Sequence, residues 1–279
     1  MGKSTLMNAM VGEKLSIVTA KAQTTRHRIM GIVNGEDYQV VFSDTPGILK
    51  PNYRLQQDMV NFVDAAIGDA DVILYVTDTV EKPDKNSEYV DKLSKLTCPV
   101  IIVINKIDIS DQAKVLELMN YWKEKVSAAE IIPASAQEKF GLENIFRTIL
   151  EKLPVCPPWY DKDAFTDKNL RFFAEEIIRE KILLNYKEEI PYCCQAQVET
   201  FKEGADRYDI SAVIYVMRDS QKGIIIGHQG VALKKVSTES RKSLEKFFGK
   251  SVYLEIFVKV DKDWRSSEKE LDSFGYNPE

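Results

Sequence analysis

Two apolar runs constrain the fold of this chain more than any other feature. Asp71–Val76 (DVILYV) and Val100–Ile104 (VIIVI) are continuous and rich in β-branched side chains. Runs of this kind are typical of strands buried on both faces of a parallel sheet. Helical patterns alternate with them at Asp84–Leu96, Asp111–Val126 and Leu142–Leu153. The alternation predicts an α/β domain with a doubly wound, mostly parallel sheet, to which Arg28–Val33 and Tyr38–Phe42 add a strand pair.

The pattern changes after residue 153. Pro154–Lys168 is rich in proline and lacks periodicity, so we interpret residues 154–168 as a linker between a domain at 1–153 and a second one at 169–279. The second domain is predicted to contain a helix at Asn169–Lys187, strands at Gln195–Phe201 and Tyr208–Val216, a loop at Gly227–Gly230, a helix at Thr238–Phe248 and a strand at Val252–Val260. This order indicates a small α+β domain.

Composition excludes several classes of protein. A net charge of -5 argues against coating nucleic acid by bulk charge, so such binding requires a local basic patch. No apolar run reaches the roughly 18 residues of a membrane span, and no secretory leader is recognisable. Cys98, Cys156, Cys193 and Cys194 lack the spacing of a zinc site and indicate a reduced, cytosolic chain.

Four short polar motifs occur in order at predicted strand and helix ends. The first is Gly2-Lys3-Ser4-Thr5, at the start of a helix predicted over Thr5–Val11. Backbone N–H groups at a helix N-terminus bind phosphate oxygens; Lys3 would contact the β- and γ-phosphates and Ser4 would bind Mg²⁺. The second is Asp44-Thr45-Pro46-Gly47, where Asp44 would hold Mg²⁺ through its water shell and the Gly47 N–H would contact the γ-phosphate.

The other two motifs predict base recognition. Asn105-Lys106-Ile107-Asp108 follows the second apolar run, and Asp108 can accept hydrogen bonds from the N1–H and N2–H₂ groups of guanine, which adenine lacks. Ala134-Ser135-Ala136 follows a short strand, and its backbone can bind guanine O6. Alone, Asp44 could be a turn residue before Pro46, and Asn105 and Asp108 a solvated loop. The ordered set of motifs predicts a guanine-nucleotide site.

A hydroxyl-rich loop lies between the first two motifs. Lys21–Arg28 (KAQTTRHR) contains Thr24 and Thr25, which could simply begin the next strand. Beside a nucleotide site, however, such a loop is typical of a switch that closes on Mg²⁺ and the γ-phosphate.

The phosphate motif is incomplete. The full pattern is GxxxxGK[ST], and Met1 stands where the residue before Gly-Lys belongs. The missing strand would lie beside Tyr38–Phe42 and Asp71–Val76, leaving apolar edges exposed. We favour a start codon assigned too late over a genuinely truncated product. As written, the chain is expected to bind GTP poorly and fold marginally.

A glycine loop in the second domain predicts RNA binding. Gly227-His228-Gln229-Gly230 is a GxxG loop, whose glycines allow the backbone to approach a phosphodiester. Alone it could be an ordinary helix-start turn. The candidate RNA-binding residues are Lys222, Ile225, Ile226, Gly227, His228, Gln229, Gly230, Lys234, Lys235 and Arg241.

Taken together, KAQTTRHRI, DTPGI, NKID and the C-terminal GxxG loop resemble the bacterial Era family of GTPases, of the TrmE-Era-EngA type, over nearly the whole chain. The resemblance implies an α/β P-loop GTPase domain followed by an α+β type II KH domain. It also implies that Thr25 meets Mg²⁺ and that Lys3, Thr25 and Gly47 act in catalysis.

The resemblance further implies a function. Such proteins are slow GTP-hydrolysing switches that bind the 3′ region of 16S rRNA and assist assembly of the 30S ribosomal subunit. They are cytoplasmic and monomeric, with a peripheral contact to the inner membrane. Ile48 occupies the position where other GTPases orient water with glutamine, which predicts slow hydrolysis.

Two alternatives stay open at this point. One is an RNA-binding assembly factor whose nucleotide site is disabled by the missing half of the P-loop. The other is a related GTPase of ribosome or tRNA modification.

Overall fold

The structure, a computed structural model, describes residues 1–83 and 87–276. The described chain forms two compact units. The first contains Met1–Ser16, Arg28–Ile48 and Val63–Asp167. The second contains Ile17–His27, Leu49–Phe62 and the described chain from Lys168 onward. The sequence predicted a single boundary between the two domains, at the proline-rich segment. In the structure, residues 17–27 and 49–62 precede that segment but belong to the second unit.

In the described part of the first unit, five strands form two sheets. β1 (Ile29–Asn34) and β2 (Gln39–Asp44) pair antiparallel. β3 (Ile73–Asp78), β4 (Val100–Asn105) and β5 (Glu130–Pro133) form a parallel sheet in the order β3-β4-β5. Every residue of β4 is buried, because it is the central strand and carries apolar side chains on both faces.

Helices surround these strands. They are α1 (Lys3–Val11), α2 (Arg54–Gly68), α3 (Ser87–Leu93), α4 (Gln112–Lys125) and α5 (Leu142–Lys152). The start of the predicted helix Asp84–Leu96 lies outside the described residues. Asp111 caps α4 by accepting a hydrogen bond from the Lys114 N–H, and Trp122 on α4 packs fully buried against β4. The sequence patterns did not indicate α2, whose N-terminal part belongs to the second unit.

The proline-rich segment is part of the first unit. Thr166 forms a β-bridge with Gly31, and Gln39 bonds through its side chain to the Tyr160 backbone O and N–H at 2.8 and 2.9 Å. The segment is therefore a strap bound to the β1–β2 pair rather than an extended linker.

The second unit has an α–β–β–α–α–β core. Its elements are α6 (Leu170–Asn185), β6 (Cys194–Glu203), β7 (Arg207–Val216), α7 (Asp219–Ile226), α8 (Val231–Phe248), β8 (Ser251–Val260) and α9 (Glu268–Ser273). β7 pairs antiparallel with β6 and parallel with β8. The sequence missed α7, because its glycine and isoleucine triplet do not read as a helix. It also placed the start of α8 at Thr238 rather than Val231, because Lys234 and Lys235 mask the buried face around Val236.

Residues 17–27 are an integral part of the second unit. The Lys21 ammonium donates to the carbonyl oxygens of Leu183 and Tyr186, at the C-terminal end of α6. The buried Arg26 guanidinium donates to the carbonyl oxygens of Cys194 at 2.9 Å and Pro191 at 3.0 Å. A loop predicted to serve the nucleotide is thus fixed by backbone carbonyls of the second unit.

His27 completes this attachment. Its ring stacks on Tyr276 with centroids 4.2 Å apart, and it meets Phe172 edge-on. Burial lowers the pKa of His27 to about 4; Glu176 acts in the opposite direction, and the nearby Arg179, Lys168 and Arg26 cations lower it further. The imidazole is therefore neutral and held as an aromatic packing group.

The start of α2 is fixed in the same unit. Leu55, Met59 and Phe62 share a buried cluster with the C-terminal residues Trp264, Leu271, Phe274 and Tyr276. The Leu55 N–H also donates to the Arg265 carbonyl at 3.1 Å. None of the helices in residues 1–83 and 87–276 combines the length and the hydropathy of a membrane-spanning segment.

We predict that His27 makes stability depend on pH. Its pKa is about 4 when folded and 6.5 in the unfolded reference, so its stabilising contribution is complete above pH 6.5 and is lost as the pH falls toward 4. The full difference corresponds to about 3 kcal/mol of the free energy of unfolding. Urea unfolding at pH 7 and pH 5 should show a smaller pH effect in His27→Gln than in the original chain.

The exposed His228 provides the matched control, because His228→Gln should retain the original pH effect. Burial raises the pKa of Glu175 to about 7, so the contribution of Glu175 to stability has the opposite pH dependence. Glu175 is present in the original chain and in both variants, so it does not affect the comparison between them. An unchanged pH effect in His27→Gln would contradict the prediction.

Candidate functional site

The phosphate motif lies at the start of α1 in the first unit. Gly2 adopts a left-handed backbone with φ of 88°, and α1 begins at Lys3. A Cβ atom on Gly2 would lie 2.5 Å from Asn105 Nδ2, so only glycine fits at this position. The unpaired N–H groups of the first helical turn can bind an anion.

The Asn105 side chain joins three of the predicted motifs. Its Nδ2 donates to the Met1 carbonyl at 2.9 Å, and its Oδ1 accepts from the Ala136 N–H at 2.9 Å. The structure thus places Asn105 as a buried brace between the GKST turn and the Ser-Ala loop.

Lys3 connects the first and second motifs. The Lys3 ammonium lies 3.9 Å from where a Cβ of Gly47 would stand. Burial lowers the pKa of Lys3, while the nearby carboxylates of Asp44 and Glu81 act to raise it. Asp44 ends β2 and is buried, as is Pro46.

Asp78 is a buried carboxylate that the sequence analysis missed. It ends β3 and accepts from Lys106 Nζ at 2.6 Å and from the Met1 amino group at 3.0 Å. The N–H groups of Val80 and Glu81 also donate to it. Burial alone would raise its pKa, but these donors hold the pKa well below its usual value. Its position directly after an apolar strand run was the available signal.

The base-recognition residues differ in exposure. Lys106 is left-handed with φ of 64°, and a short turn at Ile107–Ile109 presents Asp108 to solvent. Ser135 and Ala136 are buried, and the Ser135 N–H donates to the Phe140 carbonyl at 3.0 Å. The backbone N–H groups of both residues therefore already have acceptors in the protein. A hydrogen bond from this loop to guanine O6 would therefore require one of these N–H groups to donate to two acceptors.

The predicted magnesium ligands divide between the units. Ser4 and Asp44 lie in the first unit, and Thr25 lies buried in the second. A hydroxyl and a carboxylate are oxygen donors of the kind Mg²⁺ prefers, so the residues present in the first unit fit this ion.

The glycine loop joins α7 to α8 in the second unit. Gly227, Gln229 and Gly230 have φ of 71°, 50° and 77°. A Cβ on Gly227 would lie 2.7 Å from the Ala232 Cβ, whereas Gly230 faces open space. The loop therefore exposes backbone that a phosphodiester can approach.

The residues around this loop differ from expectation in one respect. Ile225 is fully buried in the core and cannot contact a base, which corrects its expected role; Ile226 is partly buried. Ile224 and Val231, on either side of the loop, are instead 50% and 65% exposed. Burial of Ile225 follows from the helical geometry of α7, which the sequence analysis did not anticipate.

The basic residues fall into two groups. Lys235 and Arg241 form ion pairs along α8 with Glu239 at 3.9 Å and Glu245 at 2.7 Å. Lys222 and Lys234 have no acidic partner in the described part of the chain. The local positive charge thus depends mainly on these two lysines.

Comparisons with known proteins identify the families that each part of this chain resembles. The family described as "50S ribosome-binding GTPase" matches residues 1–106, and the family described as "KH domain" matches residues 189–265. GTPase Era of Geobacter metallireducens is 42% identical over 99% of this chain and 93% of its own length. Chloroplastic GTPase ERA1 of Zea mays is 41% identical over 100% of this chain and 68% of its own length.

The chain belongs to the Era family of GTPases.

Two solved Era structures have the same fold. A complex of Era with MgGDPNP and nucleotides 1506–1542 of 16S ribosomal RNA aligns with a TM-score of 0.94 at 38% identity, covering 99% of this chain and 95% of that one. An Era variant from Aquifex aeolicus bound to GDP and AlF4⁻ gives the same values. The predicted fold class, a P-loop GTPase domain followed by a KH domain, is confirmed, and guanine nucleotides are the ligands of this family.

We predict that Asp108 selects guanine in this member of the Era family. Asp108→Ala removes two hydrogen bonds to a charged acceptor, each worth roughly 1.5–3 kcal/mol, so GDP affinity should fall at least about 100-fold. Isothermal titration calorimetry measures the change. The control Asp111→Ser removes a nearby charge but keeps a cap for α4. Equal weakening by both substitutions would argue against base recognition by Asp108.

Proposed function

We propose that this chain is a slow GTP-hydrolysing switch that binds the 3′ region of 16S rRNA and assists assembly of the 30S subunit. The observation that carries the proposal is the match over nearly the whole chain to Era bound to nucleotides 1506–1542 of 16S ribosomal RNA. The presence of both a nucleotide site and a KH loop in this chain supports the same activity here.

The proposed nucleotide chemistry uses residues of the first unit. Lys3 and the N–H groups at the start of α1 bind the phosphates, and Ser4 and Asp44 hold Mg²⁺, which neutralises charge on the phosphate oxygens. The Gly47 N–H contacts the γ-phosphate, and Asp108 reads guanine. Bracing of these motifs by Asn105 favours a working site over the alternative of a disabled one.

The proposed RNA site uses the glycine loop. Gly227 and Gly230 let the backbone approach phosphodiesters, and Lys222 and Lys234 supply charge. Ile224 and Val231 supply exposed apolar surface against which bases can pack. Because net charge is -5, this local arrangement must supply the affinity.

Switching is proposed to reach the RNA-binding unit through the two early segments. In this proposal Thr25 would bind Mg²⁺ beside GTP. Lys21 and Arg26, on either side of Thr25, donate hydrogen bonds to backbone carbonyls of the second unit. The chain after Gly47 likewise enters the second unit at Leu49. Ordering either segment around the γ-phosphate therefore acts on the unit that carries the glycine loop.

The resemblance to Era also supports a cytoplasmic location, a monomeric state and a peripheral contact with the inner membrane. These parts of the proposal rest on that resemblance alone.

We predict that RNA binding depends on the glycine loop and on Lys234 beside it. Gly230→Asp and Lys234→Glu should each weaken binding of an oligonucleotide with the 16S 3′-end sequence by at least about tenfold, because each adds negative charge beside the phosphates. Fluorescence anisotropy at fixed salt measures the affinity. Lys242→Glu, an equal charge change at an exposed position on α8, is the control. Similar losses in all three variants would indicate a bulk charge effect.

We predict that Arg26 transmits the nucleotide state. In the original chain, RNA affinity should differ by about tenfold between GDP and a non-hydrolysable GTP analogue, a usual allosteric magnitude. Arg26→Met keeps the apolar stem, removes the bonds to the Pro191 and Cys194 carbonyls, and should reduce that difference. GDP affinity, measured in parallel, should stay unchanged. A difference that survives the substitution would contradict transmission through Arg26.

A further inference from the structure

Thr79 is a hydroxyl beside the base-recognition motif that none of the predicted motifs includes. β3 and β4 pair in parallel, with Asp78 opposite Asn105. Because parallel strands run in the same direction, the next residues, Thr79 and Lys106, also come side by side. The half-buried Thr79 donates through Oγ1 to the Lys106 carbonyl oxygen at 3.1 Å. The residue after β3 is therefore bonded to the motif that follows β4.

The Lys106 carbonyl oxygen also accepts a second hydrogen bond. The Ile109 N–H donates to it at 3.3 Å, and this bond closes the short turn at Ile107–Ile109. Asp108 lies in this turn. Thr79 thus holds the same oxygen atom that closes the turn, so its hydroxyl fixes where the turn begins.

Lys106 has a backbone conformation that needs support from its surroundings. Its φ of 64° and ψ of 34° lie in the left-handed region, which residues with a Cβ atom rarely adopt. Such conformations persist where the surrounding structure fixes them, and they cluster at ligand sites. Thr79 holds the Lys106 carbonyl, and the Asp78 carboxylate lies 2.6 Å from the Lys106 ammonium. Loss of this support would let Lys106 relax and would redirect the residues after it.

The direction of the Asp108 side chain depends on this turn. Asp108 is exposed to solvent. To accept from both N1–H and N2–H₂ of guanine, its two carboxylate oxygens must face the edge of the base at the same time. The backbone of the turn sets the direction in which the Asp108 Cβ atom points. A small rotation of the turn would therefore affect base recognition before it affects phosphate binding.

We propose that Thr79 is a positioning residue for guanine recognition, which fixes the Lys106 carbonyl and through it the turn that carries Asp108. This inference rests on the proposed function, in which Asp108 reads guanine. Thr79 acts on the protein rather than on the nucleotide. Its contribution is to selectivity between purine bases, and binding of the phosphates does not depend on it.

The test compares GDP with inosine diphosphate (IDP), using the full chain. The base of IDP keeps the N1–H and O6 groups of guanine but lacks the N2 amino group. A correctly placed Asp108 accepts two hydrogen bonds from GDP and one from IDP, so the original chain should bind GDP at least about tenfold more tightly. A displaced carboxylate reduces this preference, whereas a weaker phosphate site lowers the affinity for both nucleotides equally.

Three substitutions of Thr79 test its hydroxyl. Thr79→Val replaces the hydroxyl by a methyl group, and Thr79→Ala removes it without adding bulk. In both variants, isothermal titration calorimetry should show GDP affinity about fivefold lower and the preference for GDP over IDP at least about threefold smaller. Thr79→Ser retains a hydroxyl and should retain the preference.

Thr148 provides the matched control in the same unit. It is buried, and its hydroxyl also donates to a backbone carbonyl, that of Asn144 at 2.8 Å within α5. Thr148→Val should therefore leave the preference for GDP unchanged. Adding Thr79→Val to Asp108→Ala should cause no further loss of preference, because the group that Thr79 positions is already absent.

Three results would overturn the proposal. A preference retained in both Thr79→Val and Thr79→Ala would show that the turn holds without the hydroxyl. Equal losses of affinity for GDP and IDP would make Thr79 a general stabilising residue. A further loss of preference in the double variant would mean that Thr79 acts independently of Asp108. Failure of the proposed function would look different, because the original chain itself would then bind GDP and IDP equally.

Discussion

The nucleotide site of this chain depends on one buried amide. Asn105 donates to the Met1 carbonyl and accepts from the Ala136 N–H, so a single side chain fixes the start of the phosphate motif and the Ser-Ala loop. Its position is set by the fully buried β4, which ends at Asn105. Because the bond to the Ala136 N–H is buried, its loss would leave a polar group without a partner, at roughly 1–3 kcal/mol. Close contact with Asn105 also explains why the phosphate motif needs glycine at position 2.

A second constraint is the path of the chain between the units. Residues 17–27 and 49–62 interrupt the first unit in sequence but pack within the second. The first segment is held by polar bonds from Lys21 and Arg26, and the second by an apolar cluster around Trp264. The first segment contains Thr24 and Thr25 of the hydroxyl-rich loop, and the second begins shortly after Gly47 of the second motif. Apart from the proline-rich strap, the chain therefore enters the KH unit at two earlier segments. Polar contacts hold the first of these segments, and apolar contacts hold the second.

Much of this architecture could be predicted from the sequence, and the failures have physical causes. β4 was predictable because burial on both faces requires a continuous apolar run. α6 was predictable because burial of one face gives apolar residues at helical spacing. The motif at Asn105–Asp108 was recognisable, but its first residue turned out to brace the site, since short-range pattern cannot reveal contacts between Asn105 and Met1. α7 was missed because a glycine and three isoleucines favour non-helical structure locally. Membership of Arg26 in the second unit depends on carbonyls more than 160 residues away in sequence, which no local pattern encodes.

The way Arg26 is held bears on how the proposed switch would operate. Its side chain is 2% exposed, and its guanidinium donates to two backbone carbonyls. If Arg26 left this position, the guanidinium and both carbonyls would lose their hydrogen-bond partners at the same time. Hydrogen bonds to a charged group contribute about 1.5–3 kcal/mol each, which makes partial withdrawal unfavourable. His27 adds a stacked aromatic contact directly beside it. Residues 17–27 should therefore be either fully packed against the second unit or fully released from it. Binding of a γ-phosphate can shift the equilibrium between two such discrete arrangements.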